Sequence, residues 1–166
     1  MGAITVANKD WDAVEAVADA LAAATVDSQA VFAAVAVSTG ESQSREVQLA
    51  GESPRAVVRY RTTTHADLPE SVRAATVEIE VLLAAKVAPG ADERDRLAEL
   101  LRLKNAAINA VEDDPPTIAA GFADGREHHP PLEWGRPTVD AKEAAPWVLG
   151  RLPLKVNLTL GDDGLH

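Results

Sequence analysis

Ala75-Thr76-Val77-Glu78-Ile79-Glu80-Val81 alternates without a break: Ala75, Val77, Ile79 and Val81 fall on one side of an extended chain, Thr76, Glu78 and Glu80 on the other. Successive side chains of a strand point to opposite faces, so the pattern predicts a strand with one face buried and one wet. The same character extends the expected strand over Val72–Ala84. A second run, Leu152–Leu160, sets Leu152, Leu154, Val156, Leu158 and Leu160 against Pro153, Lys155, Asn157 and Thr159. Proline has no N–H for a ladder, which puts Pro153 at a sheet edge or on the first rung. Ala56–Thr63 is a third strand, with Val58 and Tyr60 facing one way and Val57, Arg59 and Arg61 the other. Val31–Ser38 is nearly continuous in apolar residues, which predicts a strand buried on both faces. Arg45–Leu49 reads as a short strand leading to a turn at Gly51–Pro54.

Two segments carry the other period. From Trp11 to Ala24, Trp11, Val14, Val17, Ala18 and Leu21 share one helical face, and Asn8 or Asp10 can cap the free N–H groups. After the breaker Ala88-Pro89-Gly90-Ala91, Asp92 is a cap for a long helix. Leu97, Leu100, Leu101, Ile108 and Val111 form its apolar stripe, interrupted by Lys104, whose long stem can be buried while its charge stays in water, and Asp114-Pro115-Pro116 ends it. Helices flanking a group of consecutive strands predict an α+β fold, with two principal helices on one face of a mainly antiparallel sheet. The whole chain, 1–166, reads as one domain, with a short strand near Thr117–Ala123, a flexible excursion at about 124–137 and a mobile tail at 161–166.

The 166 residues suffice for one hydrophobic core, and 46% of them are hydrophobic. There is no cysteine, which excludes disulfides, thiol catalysis and thiolate metal sites. No apolar run reaches the ~18 residues of a membrane helix, and Met1–Asp10 has no basic region followed by an apolar stretch, so neither a membrane nor a secretory role is expected. The net charge of −10 opposes general attraction to phosphates.

Catalytic chemistry finds little to stand on. Glu127, His128, His129 and Glu133 cluster in one stretch, but adjacent histidines on an extended chain diverge and there is no helical HExxH spacing. Asp113-Asp114 and Asp162-Asp163 lie at the ends of elements, where carboxylates are solvated. No nucleophile elbow and no glycine-rich phosphate turn occurs. Asn157-Leu158-Thr159 matches a glycosylation acceptor only by chance, inside a strand. No catalytic residue, metal or cofactor is expected, and the chain reads as a non-enzyme. Arg55, Arg59 and Arg61 are the one basic concentration; they either pair with Glu78 and Glu80 on a neighbouring strand or make contacts between subunits. Trp134, in the proline-rich excursion, is an anchor for a partner or a core residue.

An ordered set of segments carries a resemblance. It runs from the helix Trp11–Ala24 through Pro54-Arg55-Ala56-Val57-Val58-Arg59-Tyr60, Ala75–Leu83, the breaker Lys86-Val87-Ala88-Pro89-Gly90 and the helix Asp92–Asp113 to the final strand Leu152–Leu160. This arrangement resembles the tail terminator, or tail-completion, proteins of long-tailed bacteriophages, best over Pro54–Asp113 and least over Thr117–Trp147. The resemblance implies a structural virion protein: a ring of six copies, assembled in the host cytoplasm, that caps the tail tube. The ring meets tail-tube and neck or head-completion proteins and lets DNA pass without sequence-specific binding. It further implies contacts to neighbours through Arg59, Arg61, His65, Asp67, Arg126, His128, His129 and Trp134, and an acidic lumen face at Glu78 and Glu80, which the strand pattern alone lets either line a channel or simply face water. The loops His65–Ser71 and Gly125–Pro137 are expected to reach those neighbours. A neck or head–tail joining protein is the alternative within the same class; a small non-viral ligand-binding or enzymatic α+β domain is the alternative outside it.

Overall fold

The strand that opens the sequence reading is in the middle of the sheet. In the computed structural model, which describes residues 8–38, 52–67, 73–88, 90–125, 127–140 and 147–160, Arg73–Lys86 (β5) pairs antiparallel on both sides. On one side is Arg55–Asp67 (β4), on the other Trp147–Leu160 (β10). Ala34–Ser38 (β3) extends the sheet parallel to β4, and Leu132–Trp134 (β8) borders β10, giving the order β3-β4-β5-β10-β8. Thr138–Asp140 (β9) also pairs with β10, further along its edge. Thr25–Val26 (β1) and Gln29–Ala30 (β2) form a separate hairpin whose two turn residues, Asp27 and Ser28, both have positive φ, the geometry that suits the twist of a tight hairpin.

Two helices cover one face. Helix α1, Lys9–Ala22, is capped by the Asn8 side chain, which accepts from the Trp11 backbone N–H, and packs on β3 and β4. Helix α2, Glu93–Asp113, is capped by Asp92, which accepts from Asp95 N–H, and packs on β5, β10 and α1. Between helices and sheet lies the main core, built from Val14, Val17 and Leu21 of α1, Val77, Ile79 and Val81 of β5, Leu100 and Leu103 of α2, and Leu152, Leu154, Val156 and Leu158 of β10. Each such side chain contributes roughly 1.5–3 kcal/mol on burial. The expected α+β architecture, with both helices on one face of a mainly antiparallel sheet, is what the chain adopts.

Local differences from the sequence reading have identifiable causes. The buried residues of α2 are Leu100, Leu103, Ala107 and Val111, while Leu97 and Leu101 each remain 37% exposed. Leucines at 97, 100, 101 and 103 make an apolar arc wide enough to dock in more than one rotation. The sheet selects one: Gly150 of β10 leaves a notch filled by Leu100, whose Cδ1 would be 2.9 Å from any Cβ placed there. Strand β3 starts only at Ala34 and is half-buried at the sheet border, so it is not covered on both faces; Val31 and Phe32, just before it, are the buried residues. Arg45–Leu49 lies outside the described residues, as do the expected tail at 161–166 and most of the loop 65–71 beyond Asp67.

Strand β4 carries an extra residue: Tyr60 pairs with Ile79 and Thr62 with Glu78, leaving Arg61 as a bulge. The alternation therefore changes phase at Arg61, and Thr63, not Thr62, reaches the helix side, where its hydroxyl donates to Asp10 of α1 at 2.8 Å. The short strand expected near Thr117–Ala123 overlaps Phe122–Asp124 (β6), whereas the stretch expected as a flexible excursion contains Glu127–His129 (β7) and then β8, with Gly125 at positive φ in the β6–β7 turn. Pro153 is neither at an edge nor on a first rung. It sits mid-strand in β10, between the residues paired with β9 and those paired with β8. Its carbonyl accepts from Gly135 N–H on the β8 side. The N and C=O of one strand residue point the same way, so its missing N–H falls in the gap between the two short strands, where no donor is needed.

Candidate functional site

The face of the sheet opposite the helices gathers Arg59, Arg61, Glu78 and Glu80, four of the ten residues that the sequence proposes as sites. Arg55 and Arg59 of β4, Glu78, Glu80 and Lys86 of β5, and Arg151, Pro153, Lys155 and Asn157 of β10 alternate with the core residues and so face away from the helices. Register then dictates the contacts. Arg59 lies opposite Glu80 and donates to it at 2.9 Å, with both side chains nearly buried. Arg151 approaches the same Glu80 oxygen at 3.4 Å, and Lys155 stands 4.0 Å from Glu78, its paired residue. The cross-strand pairing of arginines with Glu78 and Glu80 thus holds for Arg59. Removing one partner of such a pair strands the other charge in a poorly solvated place, which costs more than the pair itself contributes.

The face is not uniformly wet. Leu82, Ala84 and Val57 point away from the helices yet are buried, and Ala84 packs with Leu149 and Trp147, over whose ring Lys86 Nζ sits at 5.1 Å. Glu80 is buried as well. Glu78 and Glu80 are therefore held among cations and are not displayed as a bare acidic strip.

Asn157, fully buried, organises one margin of this face. Its amide donates to Pro130 O at 2.6 Å and to Glu133 at 2.8 Å, and its side-chain oxygen accepts from the Thr76 hydroxyl at 2.7 Å. Its backbone N–H donates to Pro131 O, and its carbonyl accepts from Ala120 N–H. One residue of β10 thereby fixes both ends of the 120–131 segment to the sheet.

Beside it a cleft of about 400 Å³ crosses four strands, lined by Arg61, Glu78, Glu80, Glu133, Gly135 and Lys155, among others. Arg61 is exposed and makes no ion pair among the described residues. The three carboxylates are all engaged: Glu80 by Arg59 and Arg151, Glu78 by Lys155, Glu133 by Asn157.

The remaining predicted contact residues are dispersed. His65 lies exposed near the end of β4, and Asp67 closes that strand opposite Arg73. His128 is exposed on β7. Its neighbour His129 turns the other way, stacks on Phe122 with ring centroids 4.6 Å apart, and lies 3.7 Å from Glu127 and 3.8 Å from Glu133. Among the described residues no three His, Asp or Glu side chains converge as a metal site. Trp134 does not stand out as a free anchor: it packs against the core and its indole N–H donates to Glu112 of α2 at 3.1 Å. Arg126 lies outside the described residues. The sequence reading missed Arg151, Lys155 and Asn157 as members of this face. The alternation of β10 displays the last two, but only its register against β5 reveals their partners.

No protein-family model matches the chain, and no curated protein is similar to it. Among solved structures it is similar to a chain described as "Virion of native gene transfer agent (GTA) particle", with 18% identity and a TM-score of 0.44, over 88% of this chain and 93% of that one. The likeness is distant. No helix among the described residues is long and apolar enough to cross a membrane.

Proposed function

We propose that this chain is a structural subunit of a phage-type virion, acting by assembly and not by catalysis. In this reading it forms a ring on the end of the tail tube and joins the tube to neck or head-completion proteins. The observation that carries the proposal is the packing of the segments behind the family resemblance. Helix α1, the Pro54–Tyr60 stretch, β5, α2 and β10 form one continuous unit with both helices on the same side. That arrangement leaves the opposite sheet face, rich in arginine, for a neighbour. Arginine suits such a role because its planar fork binds carboxylates across an interface. Beyond Arg59, the β4 edge has no strand partner among the described residues, so its exposed N–H and C=O groups are a second place for a neighbour. The net charge of −10 supports a subunit past which DNA phosphates slide without being held.

The test is to tag the chain in the cell that makes the particles, purify them, and image them by electron microscopy with a label. Label in a ring at the head–tail junction is the expected result, and loss of the chain should give tails of uncontrolled length or tails unjoined to heads. Particles that lack the chain altogether would refute the proposal.

A further inference from the structure

We propose that the cleft on the outer sheet face seats the acidic face of α1 from a second copy of this chain. This rests on the reading of the chain as an assembly subunit and names the contact through which copies meet. Arg61 supplies the first observation. A bulge re-aims the side chain it carries, and here it holds an exposed guanidinium with no ion-pair partner among the described residues, at one end of the cleft. Lys155, with its side chain 54% exposed, stands on β10 two strands away. Glu78, Glu80 and Glu133 also line the cleft, but Arg59 and Arg151, both against Glu80, bring the cations to four with Arg61 and Lys155, one more than the carboxylates, so the charge left over attracts an anion.

The matching anions are on the other side of the molecule. Asp12, Glu15 and Asp19 are exposed on α1 at i, i+3 and i+7, which aligns them in one stripe. Asp12 and Asp19 have no side-chain partner among the described residues; Glu15 accepts from the Trp11 indole and still faces solvent. Ala16 and Ala22 flank the stripe, so nothing bulky keeps the helix from the floor of a groove. The spacings agree. Seven residues of helix separate Asp12 from Asp19, about 10 Å, and two interstrand steps separate Arg61 from Lys155, again about 10 Å. The whole of α1 carries a charge of −3, from Lys9 against Asp10, Asp12, Glu15 and Asp19.

Because α1 and the cleft lie on opposite faces of the sheet, the contact is heterologous. Each copy offers one surface and receives the other, and such contacts form rings where the rotation closes.

The experiment measures association of the purified full chain by sedimentation velocity across concentration and salt. Native protein should associate, and less so as salt rises. Arg61→Glu with Lys155→Glu, and separately Asp12→Arg with Asp19→Arg, should each weaken self-association about tenfold or more, with far-ultraviolet circular dichroism unchanged. Mixing the two reversed proteins should restore association, because each then carries the sign the other lacks; loss of fold cannot produce that rescue. Native protein that associates while both reversed variants associate equally well overturns this contact and leaves the assembly reading standing. Native protein that stays monomeric throughout, as it would if the cleft served some other acidic partner, also overturns it; particle labelling decides the assembly reading separately.

Discussion

Asn157→Ala is the sharpest probe of how the irregular 120–131 segment is held. The native side chain is fully buried and makes three hydrogen bonds, to Pro130 O, the Glu133 carboxylate and the Thr76 hydroxyl. A neutral buried bond is worth about 1 kcal/mol net and one to a charged group about 1.5–3 kcal/mol. Part of the loss is recovered where Glu133, itself half-exposed, regains water. The expected cost is about 3 kcal/mol, equivalent to a fall of roughly 6–12 °C in Tm for a chain of this size. Urea unfolding followed by circular dichroism measures it through the midpoint at constant slope. Asn157→Asp sharpens the reasoning. It keeps the shape but turns a donor into a carboxylate facing Glu133 and the Pro130 carbonyl. It should be less stable than Asn157→Ala near neutral pH and should regain stability as acid protonates one of the two carboxyls. An Asn157→Ala protein within 0.5 kcal/mol of native, or an Asn157→Asp protein more stable than the alanine variant, would refute the account.

Other substitutions test separate parts of the structure. Leu103→Ala should cost about 2–5 kcal/mol in urea unfolding, whereas Leu101→Ala should cost less than about 1 kcal/mol, because the first is buried and the second faces outward. Glu80→Ala leaves the Arg59 guanidinium without its partner and should cost about 3 kcal/mol, a loss that added salt does not erase, since both groups are shielded from solvent. Gly150→Ala forces a methyl against Leu100 Cδ1 and should lower the unfolding midpoint by about 1–3 kcal/mol. Asp92→Ala removes the cap of α2 and should cost about 1 kcal/mol, detectable as an earlier thermal transition.

What the sequence disclosed follows from what alternation and capping encode. The core faces of β5 and β10 are legible because Val77, Ile79 and Val81, like Leu154, Val156 and Leu158, recur strictly at every second position. Asn8 and Asp92 are legible because a short polar side chain before an apolar helical period has one obvious use. The docked side of α2 is not, since periodicity offers overlapping stripes and the notch at Gly150, far along the chain, chooses between them. The bulge at Arg61 is hidden for a related reason: Arg61, Thr62, Thr63 and Thr64 are all polar, so a change of phase leaves no mark in their order. The candidate face was half legible. Arg59 and Glu80 could be paired from composition and strand assignment, whereas Arg151, Lys155 and Asn157 needed the register of a strand some seventy residues downstream.

The position of β10 has a consequence for how the molecule comes into being. This strand lies between β5 and the short strands β8 and β9, so it is an interior member of the sheet although it comes last among the described elements. Until it inserts, the inner side of β5 and the underside of α2 have no floor, and α2 has nothing to grip at Gly150. A polypeptide cut before Trp147 should therefore remain a sticky, loosely collapsed intermediate, and a synthetic peptide spanning Trp147–Leu160, added afterwards, should drive it to completion. Contacts this distant along the chain make folding slow, which gives a window in which such complementation can be observed.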